Sequence, residues 1–351
     1  MHTLFNYIPK QSILDVDDYR GEERLHTFTD VGFRTQPSSQ HGFFTPIGVI
    51  NGKIISITNK QTSFLINEYS HHIGDWYSRE LIDTYNALQR GSLTPINETL
   101  FYFVDYDCAN GWAHSFDHMI HLAYIYVKWN LSCKLLVIRC DNVYYNQTLA
   151  LLSKYLGFNY VYAEPNTNYS LRRVICTRAY SNILFPHVKE FMNERIIDPI
   201  MKVYEGTPYF DSICRLKYHN PNNIDRLATS FQRSIKFEEY CKENSVKDVS
   251  DIHDDELRIY LFNKANKITV CWGSAFMINI MYYVKSVDEK YINVLFHRNS
   301  MLERVYLRNE ANGYCMNIDT APNFLDQLYC TFRFKGKVYD NLDTLEDLQL
   351  M

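Results

Sequence analysis

From Leu100 to Thr177, apolar runs of strand length alternate with stretches of helical period, and the same alternation returns from Ser212 to Phe296. No other feature of the chain restricts its fold as much. Strands separated by helices build parallel pairs joined by right-handed crossovers. In the first stretch Leu100–Val104 reads as a short strand. Trp112, Phe116, Ile120, Ala123 and Val127 then recur at three- and four-residue steps, the mark of an amphipathic helix to about Trp129. Lys134–Cys140 has the composition of a buried strand. Gln147–Tyr155 follows as a helix stopped by Gly157, and Tyr160–Ala163 and Arg173–Thr177 complete the pattern.

The second stretch repeats it, with strands at Ser212–Leu216, Val246–Val249, Lys267–Cys271 and Tyr291–Phe296. Helices are expected at Asn223–Phe231, near Phe237–Lys242, at Asp254–Ala265 and at Phe276–Tyr283. Between the stretches, Pro186–Tyr204 reads as a longer connecting helix. Upstream, Gly48–Ile55 carries two β-rich runs around Asn51-Gly52, a strong short hairpin signal. Residues 1–40 are polar and irregular enough to read as an arm or an edge. The expected fold is therefore α/β, with two Rossmann-like domains, 1–185 and 186–351, facing a central cleft. Ligands would meet the carboxyl ends of the strands.

Composition agrees with a packed protein and excludes some roles. The chain has 351 residues, 46% of them apolar, with 28 Tyr and 21 Phe, which is enough to fill two cores. A net charge of -4, with basic residues scattered rather than in runs, argues against a nucleic-acid partner held by counterion release. The 9 cysteines include no C-x-x-C pair, so they read as thiols in a reducing compartment. The start lacks the pattern of a secretory signal, and no apolar window is long enough for a membrane span. A cytoplasmic protein is expected, and the wealth of Asn, Tyr, Ile and Lys fits an AT-rich viral or protist genome.

Four constellations could carry chemistry. His114, Asp117, His118 and His121 stand at i, i+3, i+4 and i+7 of the Trp112 helix, which makes one polar stripe. An imidazole or carboxylate there could take a proton from a hydroxyl. The same stripe could hold a metal, since His at i and i+4 can share an ion, and a metal-dependent hydrolase is the rival reading. A solvated or hydrogen-bonded helix face is the bland one. Asp105-Tyr106-Asp107, just upstream, could hold a metal or simply end a strand. Arg215 and Lys217 alternate at a strand end, ahead of the Asn-rich run that includes Asn222 and Asn223, where a diphosphate could be paired by charge. Gly273, Ser274 and Ala275 form a small-residue turn between a buried strand and a helix, a setting that lets backbone N–H groups approach a phosphate.

Taken in order, these segments resemble glycosyltransferase family 61, which includes EGF-domain-specific O-GlcNAc transferases, plant xylan-decorating enzymes and bacterial capsule-type proteins. Asn110, Trp112 and Asp117 match the family's helix motif. Arg215 with Asn222 and Asn223 matches its Arg-containing strand, and Gly273, Ser274 and Ala275 match its glycine turn. The Asp254–Ala265 helix has the family's spacing. The sequence departs from the pattern at Ala113, where the family has His and this chain has His114 one place later. Trp272 replaces a frequent His, and Ile292–Phe296 lacks an acidic residue often present. The resemblance implies a GT-B fold, with an acceptor-side N-terminal domain and a nucleotide-sugar domain after it. It also implies a metal-independent inverting transfer from a nucleotide-diphosphate sugar to a glycan or protein hydroxyl, with no cofactor beyond that co-substrate. Arg215, Lys217, Asn222, Gly273, Ser274 and Ala275 would then hold the donor, and His114 or Asp117 would be the base. The departures leave a third reading, a binding module of this kind that has lost turnover.

Overall fold

A computed structural model describes residues 12–14, 25–34, 46–50, 53–56, 64–65, 86, 90–103, 112–139, 143–177, 186–215, 241–242, 245–271, 277–287, 290–295, 305–308, 314–317 and 338–339. The protein is a mixed α/β chain in two compact units, Met1–Ser181 and Asn182–Met351.

The first unit is built on a mixed sheet. Its strands are β1 (Ser12–Leu14), β2 (Leu25–Arg34), β3 (Pro46–Ile50), β4 (Lys53–Ser56), β5 (Phe64–Leu65), β6 (Thr94–Tyr102), β7 (Lys134–Ile138), β8 (Tyr160–Ala163) and β9 (Asn168–Thr177). They lie in the order β5-β4-β3-β2-β9-β6-β7-β8, with β1 also on β2. The β3–β4 hairpin pairs Ile50 with Lys53, so that Asn51 and Gly52 alone separate its strands. β6, β7 and β8 are parallel, and their crossovers carry α1 (Trp112–Lys128) and α2 (Val143–Leu156). Each helix stops on a left-handed residue. Asn130 has φ 48 after α1, and Gly157 has φ 68 after α2, where its N–H donates to the Ser153 carbonyl at 3.0 Å.

Two expectations change here. Residues 25–34 are not an irregular arm. They form β2, which pairs antiparallel with β9 from Leu25–Thr177 to Arg34–Asn168. Leu25, Thr27 and Phe33 are buried at alternate positions, as a half-buried strand requires. Nor do His118 and His121 of α1 face water. His118 (0% exposed) and His121 (3%) are buried along with Phe116, Met119, Ile120 and Leu122, and α1 packs against α2. Edge-on rings tie these layers: Phe101 to Tyr126 at 5.6 Å, Tyr126 to Phe158 at 5.2 Å and Phe103 to Phe158 at 5.8 Å between centroids. Burying a ring such as Phe101 or Phe103 contributes about 1.5–3 kcal/mol.

The second unit begins with α3 (Pro186–Met192), a π turn at Asn193–Ile197 and α4 (Asp198–Val203), one helical run in three parts. Pro199 explains the π turn. Its ring crowds the carbonyl four residues back, and the ladder relaxes by one residue, so that the Asp198 N–H donates to the Asn193 carbonyl. A parallel sheet follows, of β10 (Ser212–Arg215), β11 (Lys247–Asp248), β12 (Lys267–Cys271) and β13 (Tyr291–Leu295). β14 (Val305–Arg308) and β15 (Tyr314–Asn317) form a separate antiparallel pair, and β16 (Val338–Tyr339) joins the sheet beside β13. The helix α5 (Asp255–Lys264) precedes β12. Its N-cap Asp254 accepts from the Glu256 and Leu257 N–H groups at 2.9 and 3.2 Å. A π-helix at Met277–Tyr283 links β12 to β13, where an ordinary helix was expected.

Candidate functional site

The sheet of the second unit runs β11-β10-β12-β13-β16. Chain order therefore reverses at β10, with the next strand on one side of it and the one after on the other. Such a point opens a crevice outside the carboxyl ends of β10 and β12. Arg215 is the last residue of β10 and pairs with Val270 of β12. Neighbouring residues on a strand point to opposite faces. Arg215 Nη1 donates to Asn279 Oδ1 at 3.4 Å, in the π-helix on one face. Cys214 Sγ lies 4.0 Å from Cys241 Sγ, in the β10–β11 connection on the other. The two connections thus leave the sheet on opposite faces, as the crevice requires.

Arg215 is 2% exposed and Asn279 0%. A buried guanidinium is costly unless hydrogen-bonded, and as the last residue of β10 this one sets a fixed positive charge at the strand's carboxyl end. Asn279 was not singled out from the sequence. Its signal was an amide inside the apolar run Phe276–Tyr283, where a side chain of that kind needs a polar partner.

Compared with family models and with curated proteins, the chain matches none.

The remaining expected site residues divide into two groups. Lys217, Asn222, Gly273, Ser274 and Ala275 lie outside the described residues, as do Asn110 and Asp105-Tyr106-Asp107. His114 and Asp117 are placed by their backbone in the first turns of α1, while their side chains lie outside the description. They belong to the first unit and Arg215 to the second. Among the described residues no three His, Cys, Asp or Glu side chains gather closely enough to share a metal ion.

The π-helix that carries Asn279 is held by its own far end. Lys189 of α3 donates to the carbonyls of Tyr282 and Val284 at 2.7 and 2.6 Å, and Asn263 Nδ2 donates to that of Tyr283 at 2.7 Å. The orphan carbonyls of a helix end are satisfied there by side chains from α3 and α5. Burial lowers the Lys189 ammonium to a pKa of about 7, from an ordinary 10.5. Between those values the unfolded chain binds one more proton than the folded one, so this residue makes stability rise with pH in that window, by at most about 1.4 kcal/mol per unit. Below pH 7 the lysine is charged in both states and the slope vanishes. In Lys189→Met the rise should be absent, which urea unfolding at a series of pH values will show.

Proposed function

We propose that the protein is a glycosyltransferase that binds a nucleotide-diphosphate sugar at the carboxyl edge of the β10–β12 crevice. The observation that carries this reading is Arg215, a buried cation at the end of β10 where strand order reverses. The fork of a guanidinium matches the paired oxygens of a diphosphate. In the sequence Lys217 lies two residues beyond Arg215 and Asn222 a little further, while Gly273, Ser274 and Ala275 follow shortly after Cys271, the last residue of β12. In this reading they complete the phosphate site with charge, an amide and backbone N–H groups.

The reaction needs no metal or cofactor beyond the donor. As the acceptor oxygen bonds to the anomeric carbon, the bond from that carbon to the diphosphate breaks and the sugar inverts. The cations take up the charge that grows on the leaving phosphate. A base, His114 or Asp117, takes the acceptor proton. The acceptor is a hydroxyl of a glycan or glycoprotein, and a GT-B arrangement would bring the two units to opposite sides of one cleft.

Arg215→Ala tests the donor site. Losing a charged hydrogen bond should weaken nucleotide-diphosphate binding by about 1.5–3 kcal/mol, measured by calorimetry on protein whose fold is checked by circular dichroism. Unchanged affinity in that variant removes Arg215 from the site. Donor binding without transfer to any hydroxyl would favour the turnover-deficient module instead.

A further inference from the structure

On the face of the second sheet opposite Asn279, two thiols from different elements meet. Cys214 Sγ of β10 lies 4.0 Å from Cys241 Sγ, 27 residues further along the chain. Backbone hydrogen bonds fix both sides of this contact. Cys214 stands in register with Asp248 of β11 and Thr269 of β12, and its carbonyl accepts the Val249 N–H at 2.9 Å. Cys241 and Lys242 are helical, and the turn after them is closed twice. The Val246 N–H donates to the Cys241 carbonyl at 2.8 Å, and the Ser245 N–H donates to that of Lys242 at 3.3 Å. Ser245 takes the left-handed φ of 53 that such a helix end needs. Lys247 then opens β11 beside β10. Both cysteines are therefore tied to β11, one by its ladder and the other by the turn that enters it.

The two differ in access to solvent. Cys214 is 2% exposed, whereas Cys241 is half-buried. The sulfurs of a disulfide stand about 2.05 Å apart, so the gap to close is about 2 Å. Rotation of the half-buried Cys241 side chain covers that distance and leaves the strand ladder intact. Two other described thiols make the contrast. Burial pushes the Cys176 thiol of β9 well above its ordinary value and raises that of Cys133, which keeps both protonated and slow to react.

We infer that Cys214 and Cys241 are a redox modification site, which a small disulfide such as oxidised glutathione closes to an intramolecular bridge. Cys241 meets the oxidant first, because it is the one that reaches solvent. Its thiolate bonds to one sulfur of the small disulfide, the S–S bond there breaks, and one thiolate leaves. Cys214 Sγ then gives up its proton and bonds to Cys241 Sγ, and the second small thiolate leaves. The two departing thiolates take up the two protons that the cysteines lost. In all, two cysteine thiols are oxidised by two electrons and one small disulfide is reduced to two thiols. Excess thiol runs the same exchange backwards. In a reducing compartment the pair rests as thiols and closes only under oxidising conditions. The bridge forms one residue from Arg215, yet its chemistry does not depend on the transfer reaction.

Oxidised glutathione added to the folded full chain, followed by alkylation, trypsin and mass spectrometry, tests the site. The tryptic peptides 203–215 and 237–242 each carry one of the two cysteines. They should be recovered joined, with the loss of two hydrogens, and dithiothreitol should separate them again. In urea, where all 9 cysteines compete, the share of Cys214 found in this bridge should fall several-fold. Cys214→Ala should stop the exchange halfway and leave glutathione on Cys241, and Cys241→Ala should leave Cys214 unmodified. Thermal unfolding checks that these variants fold, and the parent chain alone decides the matter if one does not. An adduct on Cys241 that never resolves in the parent chain, no reaction at either cysteine, or an equal share of the bridge in urea overturns the inference.

Discussion

Arg258→Met should destabilise the protein by about 3–5 kcal/mol, because it strands a carboxylate in the core. Arg258 is 1% exposed and is ion-paired with Asp255, three residues earlier on α5. Asp255 Oδ1 also accepts the Tyr283 hydroxyl at 2.7 Å, and the guanidinium lies 5.8 Å from the Tyr283 ring centre. The cluster joins α5 to the π-helix whose other residue, Asn279, meets Arg215. Removing the cation leaves Asp255 desolvated with one neutral donor. The contrast is Arg139 with Glu164, a pair at 2.9 Å whose side chains are 55% and 50% exposed. Arg139→Met should cost no more than about 1 kcal/mol, since water replaces the lost partner. Urea midpoints of both variants give the comparison. A double change, Asp255→Leu with Arg258→Met, should recover most of the loss, because a buried pair replaced by apolar groups is often neutral. If Arg258→Met costs as little as Arg139→Met, the pair is not sealed from solvent and this account of it fails.

How much of this was legible in the sequence depended on how local the cause was. The α1 limits, the Lys267–Cys271 strand, the Asn51-Gly52 hairpin and the Gly157 stop follow from period, capping and turn chemistry within a few residues. β2 is hard to read from sequence because its alternation runs partly through Thr27 and Thr29, and its partner β9 lies far along the chain. β9 itself starts at Asn168 rather than Arg173, since Tyr169 and Leu171 are fixed by the same distant pairing. Propensity cannot see such a partner. The burial of His118 and His121 is hidden in the sequence for a related reason. Helical spacing assigns them a shared face, but packing against distant parts of the chain decides whether that face meets water.

The candidate site divides in the same way. Arg215 was legible as a cation at a strand end, but its burial and its Asn279 contact come from the strand order, which crossover topology sets and residue pattern does not. The π-helix around Asn279 was equally hidden. Its end is held by Lys189 from a segment about ninety residues earlier in the chain, a separation spanned by bonds such as that from Lys189 Nζ to Tyr282 O.

The largest effect on activity is expected at α1. β6 runs parallel to β7, and α1 follows β6, so the first turns of α1 start from the carboxyl edge of those strands. That is the edge at which α/β units present their reactive groups. His114 and Asp117 stand three residues apart in those turns and so share one helix face. If one of them is the base of the proposed transfer, its removal by His114→Ala or Asp117→Asn should lower the turnover rate by about 10²–10⁴-fold, with nucleotide-diphosphate affinity unchanged. The pH profile tells the two apart. Turnover by a histidine base falls below a pH near about 6.5, whereas a carboxylate base stays active to about pH 4, from ordinary side-chain values. In the variant lacking the partner alone, the limb should persist and shift, since an ionised carboxylate nearby raises an imidazole's basicity. Parent turnover in both variants, with the fold intact, would place the base elsewhere and leave the first turns of α1 with a structural role.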